Sequence, residues 1–166
     1  MPEKINMEKF QIRPLNESDH DWVAGFLVEH WGSSKMATKG KTYDADRLPG
    51  FVAIQENKSV GLITYRIDGN QCEIGSLNSL VESAGIGTAL INAVKDAADA
   101  AGCKRLWLIT TNDNTAALNF YQKRGFILAA LCTNAIEKSR KLKPEIPITG
   151  NNGIPLRDEI ELELLL

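Results

Sequence analysis

From Ile86 onward apolar residues recur at Ile86, Ala89, Leu90, Ala93, Val94, Ala97 and Ala101. This three-four spacing predicts a helix with one buried side, and Gly102 supplies its stop. The period upstream is different. Phe51 to Gln55, Val60 to Ile67 and Cys72 to Leu80 are strand-like runs divided by Glu56-Asn57-Lys58 and Asp68-Gly69-Asn70, which predicts an antiparallel meander. Before it, Phe10 to Leu15 reads as a first strand. Asn16 to Ser18 offers capping side chains to a helix carrying Trp22, Val23, Phe26, Leu27 and His30, with Gly32 at its end and a polar, irregular stretch from Ser33 to Pro49 beyond. After the long helix, Leu106 to Thr110 is a short strand. Asn112-Asp113-Asn114 then caps a helix bearing Ala117, Leu118, Phe120 and Tyr121, closed by Lys123, Arg124 and Gly125. A strand follows at Phe126 to Leu131. Residues 134–158 are basic at first and then rich in Pro and Gly. In the closing strand Ile160, Leu162, Leu164 and Leu166 alternate with Glu159, Glu161 and Glu163.

Length and composition narrow the function. With 166 residues and 43% apolar content the chain fits a single domain, 1–166, around one core. The balance of 19 Lys and Arg against 21 Asp and Glu provides no basic field for a nucleic acid. Met1 to Asn6 lacks an apolar signal core, and the longest apolar run, Phe126 to Cys132, is too short for a bilayer, so a soluble, cytoplasmic protein is expected. Cys72, Cys103 and Cys132 are odd in number and show no metal-ligand spacing, and His20 and His30 are the only histidines. Reduced core thiols and no metal site are the expectation.

The segment Val81-Glu82-Ser83-Ala84-Gly85-Ile86-Gly87-Thr88-Ala89 leads from a strand into the strongest helix, where orphan amides and the positive end of the helix dipole converge. Two glycines would let the backbone approach a pyrophosphate closely, although a tight strand-to-helix turn needs the same residues. The dinucleotide fingerprint and the P-loop both fail to match. Context decides more. Glu73-Ile74-Gly75-Ser76-Leu77, Gly85-Ile86-Gly87-Thr88-Ala89-Leu90, Asn112-Asp113-Asn114 and Ala117 to Phe126 together resemble the GNAT superfamily of N-acetyltransferases, closely over Val60 to Leu131.

The resemblance implies an α/β (α+β) fold, a mixed, mostly antiparallel twisted sheet of about seven strands flanked by helices. It implies acetyl-CoA as acyl donor and an amine as acceptor. Its pyrophosphate loop would be Ser83, Ala84, Gly85, Ile86, Gly87, Thr88 and Ala89, with Glu82 departing from the family's Gln or Arg. Leu77, Asn78 and Ser79 would hold pantetheine and the thioester on a strand splayed from its neighbour. Asn114 would cap a helix and touch pantetheine. Tyr121 would donate to the departing sulfur, or serve as a core aromatic on its helix. Glu73 matches the glutamate base of histone-modifying members, against the plainer reading of an exposed carboxylate opposing a cation; Glu29 and His30 are weaker alternatives. A base is needed because an alkyl amine, with a pKa of about 10.4, is protonated near neutrality. The resemblance also assigns 17–50, with Trp31, Met36 and Tyr43, to the acceptor side. Lys138, Arg140, Lys141 and Lys143 could bind an acidic acceptor or the coenzyme's 3′-phosphate, or form a solvated charged helix. Residues 134–158 read as a lid or a crossover, and with the final strand they could support a homodimer. A non-catalytic acyl-CoA-binding module is the rival function.

Overall fold

The computed structural model describes residues 10–31, 35–38, 41–79 and 85–166. Chain order is β1 (Gln11–Pro14), α1 (His20–Trp31), β2 (Lys35–Thr38), β3 (Lys41–Asp44), β4 (Gly50–Gln55), β5 (Lys58–Asp68) and β6 (Gln71–Ser79). It continues with α2 (Ile86–Ala100), β7 (Arg105–Thr111), α3 (Thr115–Lys123), β8 (Ile127–Cys132), α4 (Ala135–Leu142) and β9 (Glu159–Leu165). A seven-stranded sheet runs β1-β4-β5-β6-β7-β9-β8. Its β6–β7 pair is parallel and the other pairs are antiparallel, so the meander and the mixed sheet are both borne out. Within the stretch from Ser33 to Pro49, which the composition presents as irregular, Lys35–Thr38 and Lys41–Asp44 form the antiparallel pair β2–β3. Among the described residues those strands pair only with each other, and no alternation imposed by a larger sheet marks them in the sequence.

Side-chain alternation along the strands sorts the helices onto two faces. Ile63 clusters with Ile86, Leu90 and Val94 of α2, whereas its neighbour Leu62 clusters with Val23, Phe26 and Leu27 of α1. Successive strand residues point to opposite sides, so α1 and α2 cover opposite faces. In β9, Ile160, Leu162 and Leu164 pack on the α2 side, and Glu159 on the other face accepts a hydrogen bond from Ser139 Oγ of α4 at 3.2 Å. The alternating glutamates thus mark the α1–α4 face. A capping box starts the first helical turn: Asn16 accepts from Ser18 N, and Asp19 accepts from Asn16 N while gripping Arg13 through both oxygens at 2.8 and 2.9 Å.

Within 134–158, hydrogen bonds tie residues 146–158 to α4 and to the turn before α3. Asn112 donates to Pro155 O and accepts from Arg157 N and Asp158 N, while Asp113, buried, accepts from Asn151 N at 2.8 Å. Arg140 donates to the carbonyls of Ile146, Pro147 and Leu156. This cation holds the crossover, a role that neither a ligand-binding cluster nor a solvated charged helix anticipates.

Burial also differentiates the thiols. Cys72 and Cys103 are buried and Cys132 is partly exposed, and burial pushes the Cys72 thiol up to about 12. A disulfide reagent at pH 8 should therefore label Cys132 quickly and the other two only on unfolding; rapid labelling of all three in folded protein would contradict this packing.

Candidate active site

The decisive feature begins as a break in strand register. Strands β6 and β7 pair from Gln71 with Arg105 to Ile74 with Leu108, and the ladder stops there, although β6 runs on to Ser79 and β7 to Thr111. Beyond that point the two strands diverge. On its other side β6 stays paired with β5, but Thr64 and Tyr65 face Ser76 and Ile74, so Gly75 is the extra residue of a bulge. A bulge bends its strand and sharpens the twist, and this one sits at the first position past the last β6–β7 pair. Glycine suits the place: a Cβ there would lie 3.0 Å from both Leu48 Cδ1 and Thr64 Oγ1. The buried hydroxyls of Thr64 and Ser76, 2.7 Å apart, fix the strands on either side.

Into the gap points the head of α2. Gly85, its N-cap, has φ +77° with open space where a Cβ would be, so glycine is needed here for backbone conformation alone. At Gly87 the requirement is space, since a Cβ would come within 3.0 Å of Phe120 Cζ on α3. Ala89 N bonds to Gly85 O, which leaves the amides of Ile86, Gly87 and Thr88 as the orphan donors of the first turn. A cleft of about 760 Å³ joins this helix head to the parted strands. Leu77, Asn78, Ser79, Gly85, Ile86, Gly87, Thr88, Asn114 and Tyr121 all line it. Ala89 is set back in the helix and is not in the lining, and Ser83 and Ala84 lie outside the described residues.

The opposite wall is α3. Asn114 caps it, its side-chain oxygen accepting from Ala117 N at 3.2 Å, while the residue also borders the cleft. Asn114→Ala should cost about 1 kcal/mol of stability. Comparing its melting temperature with its CoA affinity separates the cap from any ligand contact, because a pure cap would move only the first. Tyr121 is 7% exposed, edge-on to Phe120 and Phe126 with ring centroids 5.2 and 5.4 Å away. Among the described residues no hydrogen-bond partner meets its hydroxyl. Burial raises the phenol's pKa well above its ordinary value, so it stays protonated.

Glu73 is elsewhere. Its neighbours Cys72 and Ile74 belong to the core on the α2 side, and Glu73 projects from the opposite face, 5% exposed, with Arg66 Nη2 donating to it at 2.8 Å. It opposes a cation, but as a buried carboxylate rather than an exposed one. Together with Arg66, Asp68 and Trp107 it borders a separate concavity of about 240 Å³. In register it pairs with Trp107, one position before the strands part. Glu29 is exposed on α1; the side chains of His30, Trp31, Met36 and Tyr43 lie outside the described ones. No group of His, Cys, Asp or Glu fit to hold a metal occurs among the described residues, and none of their helices is long and apolar enough to cross a membrane.

A sequence profile of the acetyltransferase (GNAT) family matches residues 15–126, more than half of the chain and all of the parted strands and α3. The chain belongs to the GNAT acetyltransferase family. It is 50% identical over 150 residues to the uncharacterized protein YdhI of Bacillus subtilis strain 168, covering 90% of this chain and 94% of that one. Among solved structures it is similar to an IAA acetyltransferase from Bacillus cereus ATCC 14579, with TM-score 0.73 and 20% identity over 95% of this chain and 100% of that one. A GNAT family acetyltransferase from Elizabethkingia anophelis with acetyl-CoA bound gives TM-score 0.67 and 22% identity, covering 95% and 98%. In this GNAT chain the cleft also contains Ala117, Phe120, Lys123 and Arg124, which the sequence pattern presents only as core or helix-end features. No local pattern marks them as cleft residues, because their places there depend on the packing of α3 against α2, where Phe120 meets Gly87 and Arg124 meets Thr88.

Proposed function

We propose that this GNAT acetyltransferase binds acetyl-CoA in the cleft between β6, β7 and the head of α2, and transfers the acetyl group to the amine of a small molecule by direct attack. The observation that carries this reading is the register break at Ile74 and Leu108, which opens beside a helix N-terminus and ends at the buried hydroxyl-bearing Tyr121. The orphan amides of Ile86 to Thr88 suit a diphosphate, and the diverging stretch Leu77 to Ser79 suits the amide-rich pantetheine arm. In the reaction the amine nitrogen bonds to the thioester carbon and the carbon–sulfur bond breaks. A thiolate with an ordinary pKa of about 8.5 is thereby released, and a phenol held neutral by burial can supply its proton. The proton leaving the nitrogen needs an acceptor. Glu73 is our candidate, because it borders the opposite face one pair from the point of divergence, so that amine and thioester would approach from opposite sides of the sheet.

One observation favours a non-catalytic acyl-CoA-binding module: the Glu73 carboxylate is already engaged by Arg66. Incubation with acetyl-CoA and a panel of amines, followed by thiol release, decides between them. Turnover on at least one amine is expected. Coenzyme binding without turnover on any amine would favour the module, and no binding of CoA or its esters would remove both readings.

A further inference from the structure

We propose that Arg124, at the C-terminal end of α3, is the cation that pairs with the coenzyme's diphosphate, so that the phosphate-binding charge comes from α3 and not from the glycine loop. The proposal rests on the reading that this cleft takes acetyl-CoA.

The sequence leaves the loop without a cation of its own. From Leu80 to Val94 there is no Lys or Arg, and the one charged residue is Glu82, a carboxylate. Helix-head amides provide partial charge, equivalent to about half an elementary charge, against the two charges of a diphosphate. Any full positive charge paired with the diphosphate therefore comes from another element. Lys123 and Arg124 are the basic residues in the cleft wall, and both come from α3.

Of the two, Arg124 is held at the helix head. Its Nε donates to Thr88 Oγ1 at 2.8 Å, and Thr88 belongs to the first turn of α2. Its Nη1 donates to Phe120 O at 2.8 Å, and the guanidinium carbon lies 3.6 Å from the Phe120 ring centroid. The same ring receives Gly87 from the other helix. Phe120 is thus a platform that seats the guanidinium beside the orphan amides of α2. Arg124 Nη2 meets no acceptor among the described residues. The side chain is therefore pre-oriented, with donors left over, where an anion bound by those amides would sit. Pre-orientation limits the entropy lost on binding, and a charge-assisted contact of this kind is among the stronger hydrogen bonds.

Calorimetry with CoA, dephospho-CoA and pantetheine tests the assignment, with a thermal melt on each variant. Arg124→Gln should weaken CoA and dephospho-CoA by the same factor, about 10-fold to 100-fold, and leave pantetheine unchanged. Arg124→Lys, which keeps the charge but loses the fork and the flat stacking, should recover part of the loss and guards against a variant that merely misfolds. Loss confined to CoA would assign Arg124 to the 3′-phosphate and overturn the proposal. Equal weakening of pantetheine would mean that Arg124 only joins α2 to α3, and would overturn it as well. Unchanged coenzyme binding by a folded Arg124→Gln protein would overturn the pairing while leaving the cleft assignment intact. A wild-type protein that binds no coenzyme would overturn both.

Discussion

Tyr121→Phe should lower kcat for acetyl transfer by about 10²-fold to 10⁴-fold, the usual range for a lost proton donor, while CoA affinity and melting temperature stay close to wild type. The reasoning is local. The substitution removes one oxygen and keeps the ring, whose edge-on contacts with Phe120 and Phe126 hold α3 against the core. No hydrogen bond to a described residue is lost with the hydroxyl, so the stability cost should be small. A parallel fall in stability and activity would instead make Tyr121 a packing residue. The pH profile adds a second check. Burial raises the folded-state pKa of this phenol, so its neutral, donating form persists through the alkaline range, and ionisation of Tyr121 should impose no descending limb on kcat below about pH 10. A limb near pH 8 that vanished in the phenylalanine variant would contradict this environment.

Gly50→Ala should be the most damaging of the small substitutions, at about 3 kcal/mol, measured by denaturant unfolding against wild type. A Cβ at this position would stand 2.1 Å from the carbonyl oxygen of Ile63 and 3.0 Å from Leu15 Cδ1. The first of these atoms is backbone in the β4–β5 ladder, where Gly50 pairs with Thr64, and cannot swing aside as a side-chain end would. The only relief is to shift a strand that carries Leu62 and Ile63, both fully buried in the two opposite cores. Gly25 supplies the control. It lies on an exposed side of α1 with nothing within 4 Å of its would-be Cβ, so Gly25→Ala should stabilise by about 0.5–1 kcal/mol. If both substitutions were neutral, the close approach at Gly50 would be wrong.

Much of this architecture could be read before any coordinates. The one-sided helix from Ile86, the three-strand meander and the closing strand with alternating glutamates were legible because each obeys a single local period, and each was found within a residue or two of its expected bounds. The hairpin β2–β3 was not, since its pairing is local and imposes no period. Neither was the tethering of 146–158, which depends on Asn112 and Asp113 meeting backbone groups some forty residues away. At the site, the glycine motif, Asn114 and Tyr121 carry local signals of turn, cap and helix face, and they do converge on one cleft. Glu73 shows the limit of such reading. Alternation places it on the face opposite Tyr121, but its burial and its bond to Arg66 follow from strand register, which composition does not encode. Arg124 looked like an ordinary helix-end cation; only the packing of α3 on α2 gives it a neighbour in Thr88.

The sheet order has a consequence for assembly. Among the described residues strand β8 has no strand neighbour other than β9, and β9 is wedged between it and β7. Until residues 159–165 are in place, β7 presents a bare edge, and the apolar ribbon Ile127 to Leu131 has nothing to align against. The strand Glu159–Leu165 therefore acts as the keystone of that half of the molecule, and two sticky borders stay open in the folding chain until it pairs.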